Sequence, residues 1–91
     1  MNYKVELLSK FKKDYKLAMK RGLPEAKLEE VLKILRENGS LPAKFKPHKL
    51  KGKYAGLWEC HIQPDWLLIW DQDNAIRLIS LIRTGSHSDL F

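Results

Sequence analysis

The sequence has only one cysteine, Cys60, among its 91 residues. This excludes an internal disulfide and a zinc cluster held by several thiolates. Long apolar runs are also absent: the longest, from Trp66 to Trp70, has five residues, and a membrane-spanning helix needs about 20. The N-terminus has no apolar core of the kind found in secretory signal peptides. Together these absences predict a soluble, cytoplasmic protein with no membrane partner.

Acidic residues are scarce in the first part of the chain. Residues 1–53 contain fifteen Lys and Arg against six Asp and Glu, a balance of +9, whereas residues 54–91 contain two against five, a balance of −3. The whole chain has a formal charge of +6, which favours a polyanionic partner. Its length predicts one domain, residues 1–91, with little room for a deep pocket. We therefore expect a substrate that lies across the surface.

The first forty residues predict one strand and two helices. Residues 2–8 alternate loosely, as a short strand does. A helix follows, for which Ser9 is the predicted N-cap and Gly22 the predicted stop. A second helix is predicted with Pro24 as its first residue and Gly39 at its end. Because only two or three residues join them, the two helices should form an antiparallel pair.

The second half of the chain has the two-residue period of β-strands. Residues 58–63 alternate, and Pro64 and Asp65 then predict a turn. Residues 66–70 are apolar on both faces, which predicts a central strand covered by the helices. A second turn is predicted at residues 72–74 and a last long strand over residues 75–83. The predicted fold is α+β: an N-terminal strand and a two-helix hairpin packed on an antiparallel sheet.

Residues 40–54 form a lysine-rich segment that two prolines interrupt. It has no acidic residue, and five of its lysines fall within ten residues: Lys44, Lys46, Lys49, Lys51 and Lys53. Such lysines can serve solubility alone, because a solvated lysine on a loop costs little. Their spacing and the absence of opposite charges equally predict contacts with phosphates, which supply most of the sequence-independent affinity for nucleic acids.

Three histidines, His48, His61 and His87, are candidates for general acid–base catalysis. Imidazole titrates near neutral pH, so it can act as either the base or the acid when RNA is cleaved without a metal. Arg83 can bind a phosphate through its two-pronged guanidinium. Asp65 follows His61 by four residues and is predicted to fix the tautomer of that ring. Each residue alone also has an ordinary structural explanation, as a surface, core or turn residue.

The same residues allow two other interpretations, a metal site or a site that binds without cleavage. A metal site could use the three histidines and Asp65, but separations of thirteen and twenty-six residues match no local ligand motif. No metal and no cofactor are therefore predicted. Alternatively, the basic and aromatic residues could bind RNA or a protein without cutting it. The C-terminal Phe91 fits either a core position or a stacking platform, which is worth about 1–3 kcal/mol per base.

Three motifs resemble the YafQ-type toxins of the RelE/ParE superfamily. They are His48-x-Leu50-x-Gly52 followed by Gly56, His61-Ile62-x-Pro64-Asp65-Trp66-x-Leu68-Ile69, and Arg83-Thr84-Gly85-Ser86-His87-Ser88-x-Leu90-Phe91. The resemblance covers about half of the chain in detail. The sequence differs from the family pattern at two positions: it has Ser86 where threonine is common and Trp70 where tyrosine is common.

The resemblance implies a RelE-like, microbial-RNase type of fold and a toxin of a bacterial type II toxin–antitoxin system. Such a toxin is a ribosome-dependent endoribonuclease that cuts mRNA and is inhibited by a DinJ-like antitoxin. The toxin–antitoxin complex is expected to bind operator DNA. The functional positions of the family fall on His48, His61, Asp65, Trp66, Arg83, His87 and Phe91. Trp66 and Phe91 are expected to bind substrate, together with the five lysines.

The expected reaction is attack of the RNA 2′-hydroxyl on the neighbouring phosphate, which leaves a 2′,3′-cyclic phosphate and a 5′-hydroxyl. His87 is the first candidate for acid–base work, with His48 or His61 as its complement. Arg83 is expected to stabilise the charge of the phosphorane. The alternative is a ParE-like toxin or interaction protein that binds an antitoxin or DNA gyrase and cuts no RNA.

Overall fold

Two helices follow the first strand in the computed structural model, which describes residues 2–91. Helix α1 spans Ser9–Lys20 and helix α2 spans Glu25–Asn38. The predicted stop at Gly39 is confirmed: this residue caps α2 in the left-handed conformation, with φ of 68°. None of the helices in residues 2–91 is long and apolar enough to cross a membrane.

The two predicted helix starts are each displaced by one residue. Ser9 is not the N-cap of α1, because the first strand runs directly into the helix and the Leu8 N–H donates to the carbonyl of Leu81. Leu8 therefore occupies the cap position, without a side-chain hydrogen bond, and Ser9 is already helical. Pro24 is the N-cap of α2, and Glu25 is its first residue.

Five strands form one sheet in the order β1-β5-β4-β3-β2. They span the following residues: β1, Lys4–Leu7; β2, His48–Lys49; β3, Trp58–Gln63; β4, Trp66–Asp73; and β5, Leu78–Gly85. The neighbours β3–β4 and β4–β5 are antiparallel, as predicted, and β2, which was not predicted as a strand, is antiparallel to β3, whereas β1 pairs with β5 in parallel. The predicted α+β fold, with an N-terminal strand, a helical hairpin and an antiparallel sheet, is confirmed. The parallel direction of β1 was not predicted, because alternation along a strand identifies its faces and not its direction.

The first predicted turn is confirmed and the second is displaced. Pro64 and Asp65 join β3 to β4. The turn predicted at residues 72–74 lies at residues 74–77, where the Asp73 carboxylate accepts the backbone N–H groups of Ala75 and Ile76. As a result β5 begins at Leu78 rather than at residue 75, and Ile76 is exposed on the turn.

The main core lies between the helices and one face of the sheet. Its members are Phe11, Ala18, Leu28, Val31, Leu35, Phe45, Cys60, Ile62, Trp66, Leu68, Trp70, Ile79 and Leu81. Strand β4 is central, as its uninterrupted apolar run predicts. Burial raises the pKa of the Cys60 thiol to about 12, with a smaller contribution from the neighbouring Glu59 carboxylate. Cys60 is therefore a core residue and not a reactive thiol.

A second, smaller core covers the opposite face of the sheet, and the sequence did not reveal it. It consists of Tyr54, Leu67, Ile69 and Leu90, with Leu50, Leu57 and Ile82 at its edge. The loop between β2 and β3 and a short C-terminal helix, α3 (His87–Leu90), supply this covering. The C-terminal segment is thus folded back onto the sheet.

Polar contacts hold α3 in place. Ser86 and Asp89 form a reciprocal capping box at its start. The Asp89 carboxylate also binds the guanidinium of Arg21, at the end of α1, with 2.7 Å between Nη1 and Oδ2. The Tyr54 hydroxyl donates to the carbonyl of Leu90 over 3.1 Å. The Arg21 hydrogen bond, together with the Ser86 backbone N–H, lowers the pKa of Asp89.

Truncation of a core leucine tests the packing of α2. Leu35 is fully buried, so Leu35→Ala should lower the free energy of unfolding by about 2–5 kcal/mol. Leu17→Ala makes the same chemical change on α1 at a side chain that is 42% exposed, and should cost less than about 1 kcal/mol. Urea unfolding of both variants measures the difference. Equal losses would contradict the assignment of Leu35 to the core.

Removal of the Arg21 charge tests the contact that holds α3. In Arg21→Gln the pKa of Asp89 should rise toward its ordinary value, which carboxyl NMR would follow. A carboxylate with a lowered pKa stabilises the fold above its unfolded-state pKa, and this contribution is lost as the pH falls through the folded-state pKa. The variant should therefore be less stable than the native protein at neutral pH, and the difference should shrink in strong acid. Arg36→Gln, on the exposed face of α2, is the control of equal charge and should leave the pKa of Asp89 unchanged.

Candidate active site

One row of paired residues crosses four strands of the sheet and carries two of the predicted site residues, His48 and Arg83. His48 pairs with Glu59, Glu59 with Ile69, and Ile69 with Arg83. Neighbouring strands lie about 4.8 Å apart, so the backbones at the two ends of this row are separated by roughly 14 Å. His61 lies in the next row on the same face of β3 as Glu59. The antiparallel register therefore brings distant parts of the chain together.

The three histidine rings lie next to one another, followed by the C-terminal phenylalanine. The ring centroids of His48 and His61 are 6.4 Å apart, those of His61 and His87 5.7 Å, and those of His87 and Phe91 6.4 Å. Phe91 in turn packs edge-to-face on Tyr54 at 5.4 Å. His87 and Phe91 reach this position because the second core folds α3 back onto the sheet. Phe91 is 62% exposed, so its ring is accessible to a ligand.

The tautomers of His61 and His87 are set by the acceptors that their Nδ1 atoms contact. Nδ1 of His61 lies 3.2 Å from the carbonyl of Pro64, and Nδ1 of His87 lies 2.8 Å from Oδ1 of Asp65. Each Nδ1 therefore carries the proton in the neutral ring and donates it to its acceptor. Nε2 of each ring is then left with a lone pair that can take a proton from a substrate.

Asp65 orients His87 and not His61, so the predicted pairing is wrong. The turn between β3 and β4 directs the Asp65 carboxylate toward α3, where it accepts both the backbone N–H and the ring Nδ1–H of His87. These contacts lower the pKa of Asp65, the backbone hydrogen bond most of all. The proximity of Asp65 to His61 in the sequence suggested the wrong partner, because the Pro64 carbonyl is closer to the His61 ring.

Glu59 is a member of this site that the sequence analysis missed. Its side chain is 5% exposed, and Oε1 lies 3.1 Å from Nε2 of His48 and 3.9 Å from Nε2 of His61. Its other oxygen, Oε2, is buried and has no hydrogen-bond partner among residues 2–91. The alternation of β3 placed Glu59 on the same face as His61. A lone glutamate on a strand is usually solvated, however, and only the packed structure shows that this one is buried.

His48 lies between two acceptors. Its Nδ1 is 2.8 Å from the carbonyl of Lys46, and its Nε2 faces the Glu59 carboxylate. A neutral imidazole has a single N–H and can satisfy only one of these acceptors. Both contacts are satisfied when one further proton is shared between His48 and Glu59. The His48–Glu59 pair lies next to the His61 ring.

Arg83 is engaged by a carboxylate that was not anticipated. Strand β1 pairs with only the first half of β5, so the backbone N–H of Thr84 in the second half has no strand partner in the described part of the chain. This N–H donates instead to the carboxylate of Asp14 on α1. The same carboxylate binds Nε of Arg83 at 2.6 Å and Nη2 at 3.2 Å. The Asp14 hydrogen bond raises the pKa of Arg83, which also adjoins Tyr54. The Nε–Nη2 edge of the guanidinium is thus occupied by Asp14, whereas Nη1 is not bound by this carboxylate.

Trp66 is buried and therefore not accessible to a substrate, contrary to the prediction. It is 1% exposed, within the main core, and its indole N–H donates to the Thr84 hydroxyl over 2.9 Å. That hydroxyl donates in turn to the carbonyl of Leu67. Trp66 therefore links β4 to β5 beneath the site.

The predicted lysines are all exposed but do not share one surface. Lys53 lies over the ring of Tyr54, which itself packs against Phe91. Lys44 and Lys46 line a cleft beside His61. Lys49 is directed to the other face of the sheet, over the ring of Trp58. Lys51 lies in the loop between β2 and β3. Within residues 2–91, no three His, Cys, Asp or Glu side chains are arranged to hold a metal ion.

The arrangement can carry out two proton transfers close together on an exposed surface. His61 and His87 each present Nε2, and the His48–Glu59 pair lies on one side of them. Phe91 offers a ring on the other side, and lysines lie near both ends. Bases commonly stack on exposed aromatic rings, and lysines commonly contact phosphates, so this surface has the chemistry of a nucleic-acid site.

Comparison with known proteins identifies the family of the chain. Residues 3–91 match the family described as "Bacterial toxin of type II toxin-antitoxin system, YafQ". The mRNA interferase toxin YafQ of Escherichia coli K12 is 38% identical over 88 residues, which cover 96% of this chain and 94% of the relative.

Two solved structures from Escherichia coli are similar over nearly their whole length. YafQ of strain BL21(DE3) has a TM-score of 0.90 at 36% identity, with 98% of each chain covered. A chain of the DinJ–YafQ toxin–antitoxin complex has a TM-score of 0.89 at 36% identity, with 100% of this chain and 99% of that chain covered. The chain described here therefore belongs to the YafQ family of bacterial type II toxin–antitoxin toxins.

Proposed function

We propose that this chain is an endoribonuclease that cuts mRNA as the toxin of a type II toxin–antitoxin system. The observation that carries the proposal is the pair His61 and His87, whose rings lie 5.7 Å apart with both Nδ1 atoms held by acceptors. Two imidazoles held in this way are suited to act as the base and the acid of one reaction. The name of the similar Escherichia coli toxin, mRNA interferase, supports the same assignment.

The proposed reaction begins with attack of a 2′-hydroxyl on the neighbouring phosphorus. One imidazole takes the hydroxyl proton at Nε2 while the new bond between O2′ and phosphorus forms. The bond between phosphorus and O5′ then breaks, and the second histidine, as imidazolium, gives its proton to the departing oxygen. The products are a 2′,3′-cyclic phosphate and a 5′-hydroxyl, and the two histidines together gain and lose one proton. These transfers require no cofactor.

The remaining residues position the two histidines and counter the charge of the phosphorane. Asp65 holds His87 through two hydrogen bonds. Glu59 holds His48 and lies next to the His61 ring. Arg83 contributes positive charge from its place beside Tyr54, and it would contact a phosphate from its Nη1 side, because Asp14 occupies the Nε–Nη2 edge. Phe91 stacks on a base.

The proposed partners are mRNA on the ribosome and a DinJ-like antitoxin. The site is an open surface of a small basic protein, which suits a strand that another assembly presents and bends. The DinJ–YafQ complex of Escherichia coli supports an antitoxin of that kind here, because this chain matches the toxin of that complex over its full length. We further propose that the toxin–antitoxin complex binds operator DNA and that the toxin acts in the cytoplasm.

The His87→Ala variant tests the proposed reaction. Loss of one acid–base group should lower the rate of mRNA cleavage by about 10²–10⁴-fold and so abolish growth arrest. Antitoxin binding should be retained, because the change removes a single exposed ring. Primer extension on mRNA from cells that express each form measures the cuts. Ser88→Ala, at the adjacent exposed position of α3, is the matched control and should cleave normally.

Two outcomes would contradict the proposal. Full toxicity of His87→Ala would remove His87 from the reaction. Growth arrest by the native chain without codon-phased cuts in translated mRNA would favour the alternative, a ParE-like toxin that acts on DNA gyrase or another protein by binding alone.

Glu59→Gln tests the role of the buried carboxylate. The amide keeps the shape of the side chain but removes its charge, so the contact with His48 weakens and cleavage should fall by about tenfold or more. Stability should stay equal or rise, because a buried carboxylate with an unsatisfied oxygen is costly. Cleavage assays and urea unfolding measure the two effects. Glu37→Gln, on the exposed face of α2, should change neither. A variant that loses both stability and activity would make Glu59 a structural residue only.

A further inference from the structure

A cleft of about 380 Å³ opens next to His61, on the side of the sheet edge nearest α2. Lys27 of α2 forms one wall, and Lys44 and Lys46 of the lysine-rich segment form another. His61 and Gln63, at the end of β3, complete it. Its volume lies within the range of sites that bind small molecules or single groups of a polymer, about 300–1,000 Å³.

The cleft is positively charged. Three lysines line it against one acidic residue, Glu30. The only ion pair among these groups in residues 2–91 joins Lys44 and Glu30 at 3.9 Å, and both side chains are more than half exposed. Such a pair is weak, because water screens it. The ammonium groups of Lys27 and Lys46 make no ion pair within the described chain, so most of the positive charge is available to a ligand.

The cleft also has a group that can recognise a base. Gln63 is half-buried, and its amide makes no hydrogen bond to any of residues 2–91. A primary amide offers both a donor and an acceptor, which match the edge of a nucleobase. Because His61 belongs to both the cleft and the histidine cluster, a ligand in the cleft lies directly beside the proposed reaction centre.

We propose that this cleft binds the nucleotide of the substrate strand next to the phosphodiester that is cut. Lys27, Lys44 and Lys46 hold its phosphate, and Gln63 faces its base. The inference rests on the proposed function and adds Lys27, which lies in a helix far from the lysine-rich segment in the sequence. The histidine row then lies between the cleft and Phe91, so the strand runs from the cleft, across the three histidines, to the exposed Phe91 ring.

The first experiment measures binding without cleavage. The probe is a short fluorescent single-stranded RNA in which every 2′-hydroxyl is methylated, so that attack cannot occur, and the readout is fluorescence anisotropy at several salt concentrations. Lys27→Gln should weaken binding by about three- to tenfold at low salt and reduce the slope of log K against log salt by about 0.7, the value for one phosphate contact on a single strand. Lys33→Gln, on the same helix but outside the cleft, changes the net charge equally and should bind like the native chain.

A second pair of variants tests whether removal of a negative charge from the cleft strengthens RNA binding. Glu30→Gln removes the only negative charge of the cleft, so it should tighten binding of the same probe by about two- to fivefold at low salt. Glu29→Gln is the neighbouring change on α2, directed away from the cleft, and should have no comparable effect. A residue that only supports the fold would not increase affinity when its charge is removed.

The outcomes separate this inference from the proposed function. If Lys27→Gln and Lys33→Gln bind the probe equally, or if the native chain does not bind it at low salt, the cleft does not hold the substrate strand. The inference also fails if Lys27→Gln binds the probe normally and only loses association with ribosomes, since ribosomal RNA would then be the ligand. Loss of mRNA cleavage in His87→Ala, together with any of these results, would leave the endoribonuclease assignment intact.

Discussion

The structure depends on strand β4, which is apolar on both faces and must therefore be covered twice. The two helices cover one face and bury Leu68 and Trp70. The loop between β2 and β3 and the C-terminal segment cover the other and bury Leu67 and Ile69. Burial of apolar surface stabilises by roughly 25 cal/mol per Å², so an open second face would be costly. The second covering also has a chemical consequence, because it carries His87 and Phe91 to the sheet.

The geometry of the histidine cluster follows from backbone and carboxylate acceptors rather than from the histidines themselves. The Pro64 carbonyl holds His61, the Lys46 carbonyl holds His48, and the Asp65 carboxylate holds His87. Each acceptor binds Nδ1, and in His61 and His87 this leaves Nε2 for a substrate. An imidazole that is free to rotate would have to be ordered in every reaction cycle, whereas these are ordered by folding.

Acidic and basic side chains have different roles in the structure. Carboxylates in and around the site are used internally: Asp14 binds Arg83, Glu59 binds His48, and Asp89 binds Arg21. The lysines, in contrast, remain largely solvated. Positive charge is therefore left at the surface, while the negative charges hold the elements on which the histidines lie.

The sequence alone determined the helices, the central place of β4, the turn at Pro64 and the identity of the histidines, because these depend on local periodicity and on chemistry that a residue carries anywhere. It could not determine the parallel direction of β1, the second core or the burial of Glu59 and Trp66. It also misassigned the partner of His61, and it did not show that Asp14 binds Arg83. These features depend on contacts between residues far apart in the chain. Only the tertiary structure determines which carboxylate contacts which histidine ring, because a local sequence pattern contains no information about the residues that neighbouring strands and segments bring into contact.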